Sequence, residues 1–306
     1  MKHLILNAVL LLQICTLYAA TTNVAEKQRT RTTILADTGV CRSGYANVNG
    51  LKMYYEVYLP PAHANKTDMP LVMLHGGGST IQTSFGSVIP LFSKSRKLIC
   101  VELQAHGRTG DRDAPISFEQ DADDVAMLLS ILNIGQADVF GFSNGGNTAL
   151  QMAIRHPKLC NKIVAGSVLL KRNGAMPGFW NFMQHASFEQ MPQPYKDAFM
   201  KVNPDSIKLK TMYEKCARRM QIFNDFTDDQ LSTIQSPVLL INGDRDVGTS
   251  EHIVAMSRLI PQCRLAIVPG GHGAYIGEIT TLQPGRNENE FTVPLIEKFL
   301  DEKAKL

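Results

Sequence analysis

The chain has 306 residues, of which 44% are hydrophobic and 19% charged, with a formal net charge of +3. This is the make-up of an ordinary globular protein with an ample core, longer than a typical domain but within reach of an α/β fold carrying an insertion. So small a charge gives no argument for nucleic acid or an anionic membrane as a partner, and there is no Lys/Arg run, internal repeat or low-complexity tract.

The first twenty residues read as an export signal. Lys2 and His3 form a short polar head, Leu4 to Leu17 is mostly apolar despite Asn7 and Gln13, and Tyr18-Ala19-Ala20 offers small residues for cleavage. An anchor helix is the rival, but the run is short for a bilayer span and lacks a basic stop. A lipoprotein reading would use Cys15, which follows the bulky Ile14. The expectation is therefore a chain exported to the periplasm or the medium, without residues 1–20 and with no stable membrane span. Residues 21–32 read as a polar tether. Cys41, Cys100, Cys160, Cys216 and Cys263 remain, in spacings that fit neither a disulfide framework nor a zinc site, so free thiols are expected, with a single bridge as the alternative.

Tyr45 to Val48 and Leu51 to Leu59 alternate apolar with polar around Asn49-Gly50, a strong hairpin signal. Residues 60–70 read as a surface loop with a glycosylation sequon, Asn65-Lys66-Thr67. Strands are then expected at 71–74, 98–103, 137–142, 163–170, 238–241 and 264–268. Their apolar residues run on rather than alternate, as strands covered on both faces require. Helical patterns at 118–132, 147–156, 251–260 and 291–303 fall between them, and this alternation implies a parallel sheet. Residues 172–235 break the rhythm. Their Met and aromatic residues recur at roughly helical spacing, which predicts a helical cap inserted into a core made of residues 33–171 and 236–306.

Four motifs fall at strand ends. Gly141-Phe142-Ser143-Asn144-Gly145, between a strand and a helix, has the form of a nucleophile elbow, in which flanking side chains would collide. By itself it could equally be a Gly/Ser helix cap. His75-Gly76-Gly77-Gly78 leaves backbone N–H groups able to face a developing oxyanion, or is simply a flexible turn. Gly243-Asp244-Arg245-Asp246 offers a carboxylate to orient a histidine; Asp246 is favoured, with Asp244 solvated or paired with Arg245. Pro269-Gly270-Gly271-His272-Gly273 presents a histidine with little bulk around it. Other histidines have plainer readings. His156 ends a helix, while His63, His185 and His252 fall in surface or cap segments.

The order Ser143, Asp246, His272 is that of the α/β-hydrolase triad, and from about Tyr45 to Leu300 the chain resembles that superfamily. Glu102-Leu103-Gln104-Ala105-His106-Gly107-Arg108-Thr109 is similar to its Asp-x-Arg-Gly-x-Gly-x-Ser turn, with Glu, Gln, Ala and Thr as departures. Ser143 stands where the dehalogenase and epoxide-hydrolase relatives have an aspartate, and residues 167–172 hold no alternative carboxylate.

The resemblance implies an α/β-hydrolase fold: a mostly parallel twisted sheet, helices on both faces and an inserted helical cap. It implies a serine hydrolase of a small-molecule carboxylic ester, with Ser143 as nucleophile, His272 as base, Asp246 as its orienting acid, and an oxyanion hole from the N–H groups of Gly77 and Asn144. No metal or organic cofactor is implied. Lactone, thioester, C–C and aminopeptidase chemistry remain open within the fold, as does a non-catalytic ligand-binding homologue. Export predicts a mature amino terminus close to Thr21, to be read by intact-mass analysis of protein from the medium or periplasm. A chain retaining Lys2 would overturn it.

Overall fold

The computed structural model describes residues 31–35, 39–62, 67–283 and 289–303. The expected signal, most of the expected tether, His63, and Asn65 and Lys66 of the sequon lie outside the described residues. The strands are β1 (Arg31–Leu35), β2 (Gly39–Val48), β3 (Leu51–Leu59), β4 (Thr67–Leu74), β5 (Arg96–Val101), β6 (Ala137–Phe142), β7 (Cys160–Gly166), β8 (Val238–Gly243) and β9 (Cys263–Val268). The helices are α1 (Ile81–Phe85), α2 (Ile89–Phe92), α3 (Phe118–Ile131), α4 (Asn144–Arg155), α5 (Phe179–His185), α6 (Gln193–Val202), α7 (Ser206–Gln221), α8 (Asp228–Ser232), α9 (Ser250–Ser257) and α10 (Asn289–Asp301).

One nine-stranded sheet, ordered β1-β2-β3-β5-β4-β6-β7-β8-β9, carries the fold. It is antiparallel from β1 through β3 to β5, and parallel from β5 to β9. At the β2–β3 turn Asn49 and Gly50 both have positive φ, 45° and 79°, as the tight two-residue hairpin requires. The inner strands are apolar throughout because they feed two cores. On β4, Val72 and Leu74 join Val125, Leu150 and Ile253 of α3, α4 and α9. Leu71 and Met73 face the other way, towards Phe85, Phe92 and Ile296 of α1, α2 and α10. Among the described residues no helix is long and apolar enough to cross a membrane.

Several boundaries differ from the sequence reading, each for a local reason. Arg31 and Thr32, the end of the expected tether, pair with Ser43 and Arg42 in β1, because β2 offers a free antiparallel edge. Thr67 to Pro70, read as loop, belong to β4. Two short helices, α1 and α2, fill 81–92, too brief for periodicity to register. Strand β7 stops at Gly166 instead of continuing to Leu170. Ser167 turns to φ 54°, and the next backbone groups are taken by side chains: Asn147 Nδ2 donates to the Leu169 carbonyl at 2.8 Å, and Leu170 N–H donates to His252 Nε2 at 3.1 Å. His252 is accordingly buried, not a surface residue. All five cysteines past the expected signal are free thiols.

Between β7 and β8 the chain forms α5 to α8, with a small core of its own, where Met191, Phe199, Leu209 and Met212 pack on Ala105. Polar ties join this cap to the body. Asn203 Nδ2 donates to the Gly107 carbonyl at 2.9 Å, Lys215 Nζ pairs with Asp111 at 2.7 Å, and Arg219 Nη1 pairs with Asp121 at 2.7 Å, both sides of the last being buried. Burial raises the Asp121 pKa despite the opposing pull of Arg219. The pair therefore fixes where α7 crosses α3 more than it adds stability. Asp121→Ala would strand the buried Arg219 charge and should cost about 3–5 kcal/mol, measured as a fall in the urea unfolding midpoint. The double variant Asp121→Leu, Arg219→Met should recover most of that loss.

Candidate active site

A single residue, Ser143, separates β6 from α4. Its backbone sits at φ 54°, ψ −121°, a strained region for a residue with a side chain. Surrounding bonds hold it there: Ser143 N–H donates to the Gly166 carbonyl at 2.7 Å, and its own carbonyl accepts from Gly146 at 2.8 Å and Asn147 at 3.1 Å. The flanking glycines are sterically required. A Cβ on Gly141 would overlap the Gly145 carbonyl, and one on Gly145 would overlap the carbonyl oxygens of Leu74 and His75. With backbone so close on both sides, the Ser143 side chain is left to face the cavity above the sheet.

His272, in the loop after β9, places Nε2 3.0 Å from Ser143 Oγ and Nδ1 2.6 Å from Asp246 Oδ1. Asp246, after β8, is 5% exposed and well supplied with donors. Val247 N–H reaches Oδ1 at 2.7 Å, while the Ser167 hydroxyl at 2.6 Å and Gly243 N–H at 3.2 Å reach Oδ2. Burial acts to raise the Asp246 pKa, but the His272 charge and these hydrogen bonds outweigh it and the net shift is downward. For His272, burial acts to lower the pKa. The Asp246 charge and hydrogen bond, with a smaller effect from Glu278, outweigh it and the net shift is upward. Asp244 stays outside this relay. It is exposed, as expected of a solvated carboxylate, and its Oδ1 also accepts the Gly270 N–H at 2.8 Å.

Gly77 and Asn144 come together because β4 and β6 are neighbours, with Leu74 opposite Gly141. A Cβ on Gly76 would sit 3.4 Å from Ser143 Cβ, and one on Gly77 would overlap the Asn144 side-chain amide. Among the described residues neither the Gly77 nor the Asn144 N–H has a hydrogen-bond partner. Two buried histidines hold this loop. His75 Nε2 accepts the Leu103 N–H at 3.1 Å, His106 Nε2 accepts the Gly78 N–H at 3.1 Å, and the rings lie 4.8 Å apart. Burial, helped by the nearby Arg219 charge, lowers the His106 pKa to about 4, so a neutral ring accepts. Sequence reading passed over His106 as a turn residue and over Ser167 as part of a strand. Only their distant partners reveal them.

The relay opens into a cavity of about 340 Å³ between the sheet end and the cap. Cap residues Phe179, Met183, Met191, Tyr195, Tyr213 and Met220 form its far wall. Among the described residues no group of three or more His, Cys, Asp or Glu side chains could hold a metal ion.

Residues 69–195 match the sequence model of the α/β hydrolase fold. The fold is that of the α/β hydrolases. It is 35% identical over 106 residues to 2-hydroxymuconate semialdehyde hydrolase of Pseudomonas sp. (strain CF600), covering 33% of this chain but only 37% of that protein. It is 26% identical over 233 residues to an sn-1-specific diacylglycerol lipase of Xenopus laevis, covering 66% and 73%. The crystal structure of the enol-lactonase from Burkholderia xenovorans LB400 superposes with a TM-score of 0.63 at 18% identity, covering 84% of this chain and 100% of that one.

The departures within the α/β-hydrolase turn at 102–109 are accommodated by local geometry. Glu102 bonds the Arg108 guanidinium at 2.7 Å and the Arg108 N–H at 2.6 Å, and Thr109 Oγ1 donates to the Glu102 carbonyl at 2.6 Å. Ala105, where the superfamily pattern has glycine, is held at φ 66° with its N–H bonded to the Gly110 carbonyl. Because opposing forces set the His272 pKa, an NMR titration should place it above the ordinary imidazole value of about 6.5. In Asp246→Asn burial would act unopposed by that charge, and the same resonance should titrate below that value.

Proposed function

We propose that this protein of the α/β-hydrolase fold is a serine hydrolase that cleaves a small-molecule carboxylic ester through a covalent acyl-enzyme. One observation carries the reading: an unbroken hydrogen-bonded line from Ser143 through His272 to Asp246, at 3.0 and 2.6 Å, opening on a largely apolar cavity. In the mechanism it supports, neutral His272 takes the Ser143 proton as Oγ attacks the ester carbonyl, and Asp246 fixes the tautomer and stabilises the imidazolium. The unpartnered N–H groups of Gly77 and Asn144 would hold the oxyanion, where one such donor is worth about 10²–10³ in rate. His272 then protonates the departing alcohol. Water, deprotonated by the same ring, releases the acid and restores Ser143. Export of the chain is part of the proposal and rests on the Lys2–Ala20 pattern alone.

Ser143→Ala should lower kcat/KM for p-nitrophenyl esters by about 10⁴-fold or more with an unchanged thermal midpoint, and should abolish labelling by a fluorophosphonate. Near-normal turnover by the variant would overturn the assignment. The pH profile carries a second expectation. Only unprotonated His272 can act as base, and its pKa is raised. Activity should therefore fall as the pH drops through a value above the ordinary imidazole range of about 6.5. Full activity retained at pH 5 would exclude His272 as the base.

A further inference from the structure

We infer that this site selects uncharged acyl substrates and excludes those whose acyl chain ends in a carboxylate. The inference rests on the hydrolase reading above and concerns the wall of the cavity rather than its reactive end. Among the described residues lining the cavity there is no Lys, Arg, Asp or Glu. Arg218 is exposed to solvent, and three other cations close to the cavity in the chain are committed elsewhere. Arg219, one turn beyond the lining residue Cys216, pairs with Asp121 and stacks on the Phe118 ring at 4.7 Å. Lys215 is held by Asp111 and the carbonyls of Arg112 and Ala114, and Arg172 lies over the Trp180 ring at 3.8 Å.

Several polar side chains of the lining are engaged too. Asn147 donates to the Leu169 carbonyl at 2.8 Å, Ser167 to Asp246 at 2.6 Å, and Ser187 and Gln190 cap each other's backbone. Cys216 lies with Sγ 3.2 Å from His106 Nε2, and burial raises its thiol pKa, so it adds no charge. What remains is a wall of thioether and aromatic surface, from Met183, Met191, Met220, Phe179 and Leu169, suited to an alkyl or aryl chain. The Tyr213 hydroxyl lines the cavity, is buried, and has no partner among the described residues. A neutral hydroxyl matches a single ether, ester or alcohol oxygen. It does not replace the paired donors that a buried carboxylate needs.

The test compares three p-nitrophenyl esters of equal acyl length on the full chain at pH 8: the hexanoate, the adipate monoester with its free carboxylate, and the adipate capped as its methyl ester. The hexanoate should exceed the adipate monoester in kcat/KM by about a hundredfold or more, and methyl capping should recover most of the difference. Met183→Arg, which brings a cation into the lining, should narrow the gap by about tenfold. Comparable turnover of hexanoate and adipate monoester, or no gain on capping, would overturn the inference while leaving the hydrolase reading intact if Ser143→Ala still abolishes turnover.

Binding to Ser143→Ala separates the two readings. A thermal shift with the hexanoate but not the adipate monoester upholds the selectivity even where the wild type turns over neither. Equal shifts, or none with either ester, would sink it.

Discussion

Everything at this site depends on how closely the start of α4 can approach the end of β4. The Gly145 Cα lies against the carbonyls of Leu74 and His75, so close that one added carbon would overlap both. That approach brings the serine at the end of β6 beside the glycine loop at the end of β4, and so puts the Ser143 hydroxyl next to N–H groups that have no partner among the described residues. The strain in the Ser143 backbone follows from the same constraint. A residue at φ 54° persists only where its neighbours over-determine it. Here the Gly166 carbonyl and the first turn of α4 do so from opposite sides. The parallel sheet supplies the remaining geometry: β6, β7, β8 and β9 lie side by side, and Ser167, Asp246 and His272 come from the loops that leave three of them.

Within that frame the chemistry is a balance between burial and charge. A partly buried imidazole packed on Phe142 would titrate low if alone, and a carboxylate as buried as Asp246 would titrate high. Each reverses the other's shift. The Ser167 hydroxyl and the N–H groups of Gly243 and Val247 stabilise the ionised Asp246, whose charge acts on His272. Burial that would penalise either group by itself strengthens the coupling between them.

How much of this was legible in the sequence follows from the range over which each residue acts. The elbow, the His-Gly-Gly-Gly run and the late Asp and His motifs are readable because glycines mark tight backbone turns within five residues. The sheet is readable because strands buried on both faces must be apolar without interruption. Ser167 and His106 escaped because their roles exist only through Asp246 and Gly78, 79 and 28 residues away. Strand β7 was read four residues too long because Val168, Leu169 and Leu170 are as buried as any strand, while side chains replace the ladder there. The cap showed only its helical period. Which of its residues face the cavity is set by the ties of Asn203, Lys215 and Arg219 to the body, and no local pattern encodes those.

Those same ties bear on what the cavity can hold. Helix α7 carries Tyr213, Cys216 and Met220 on the face turned to the cavity, and its basic residues Lys215, Arg218 and Arg219 sit between them in sequence. A rotation of the helix would exchange the two sets. Asp111 and Asp121, both on the body, capture Lys215 and Arg219 and so fix which side of α7 faces inward. The buried pair with Asp121 adds little net stability, yet it decides that thioether, thiol and phenol line the site instead of ammonium and guanidinium. The electrostatics of the cavity is therefore set from outside it, by carboxylates that touch no part of its wall.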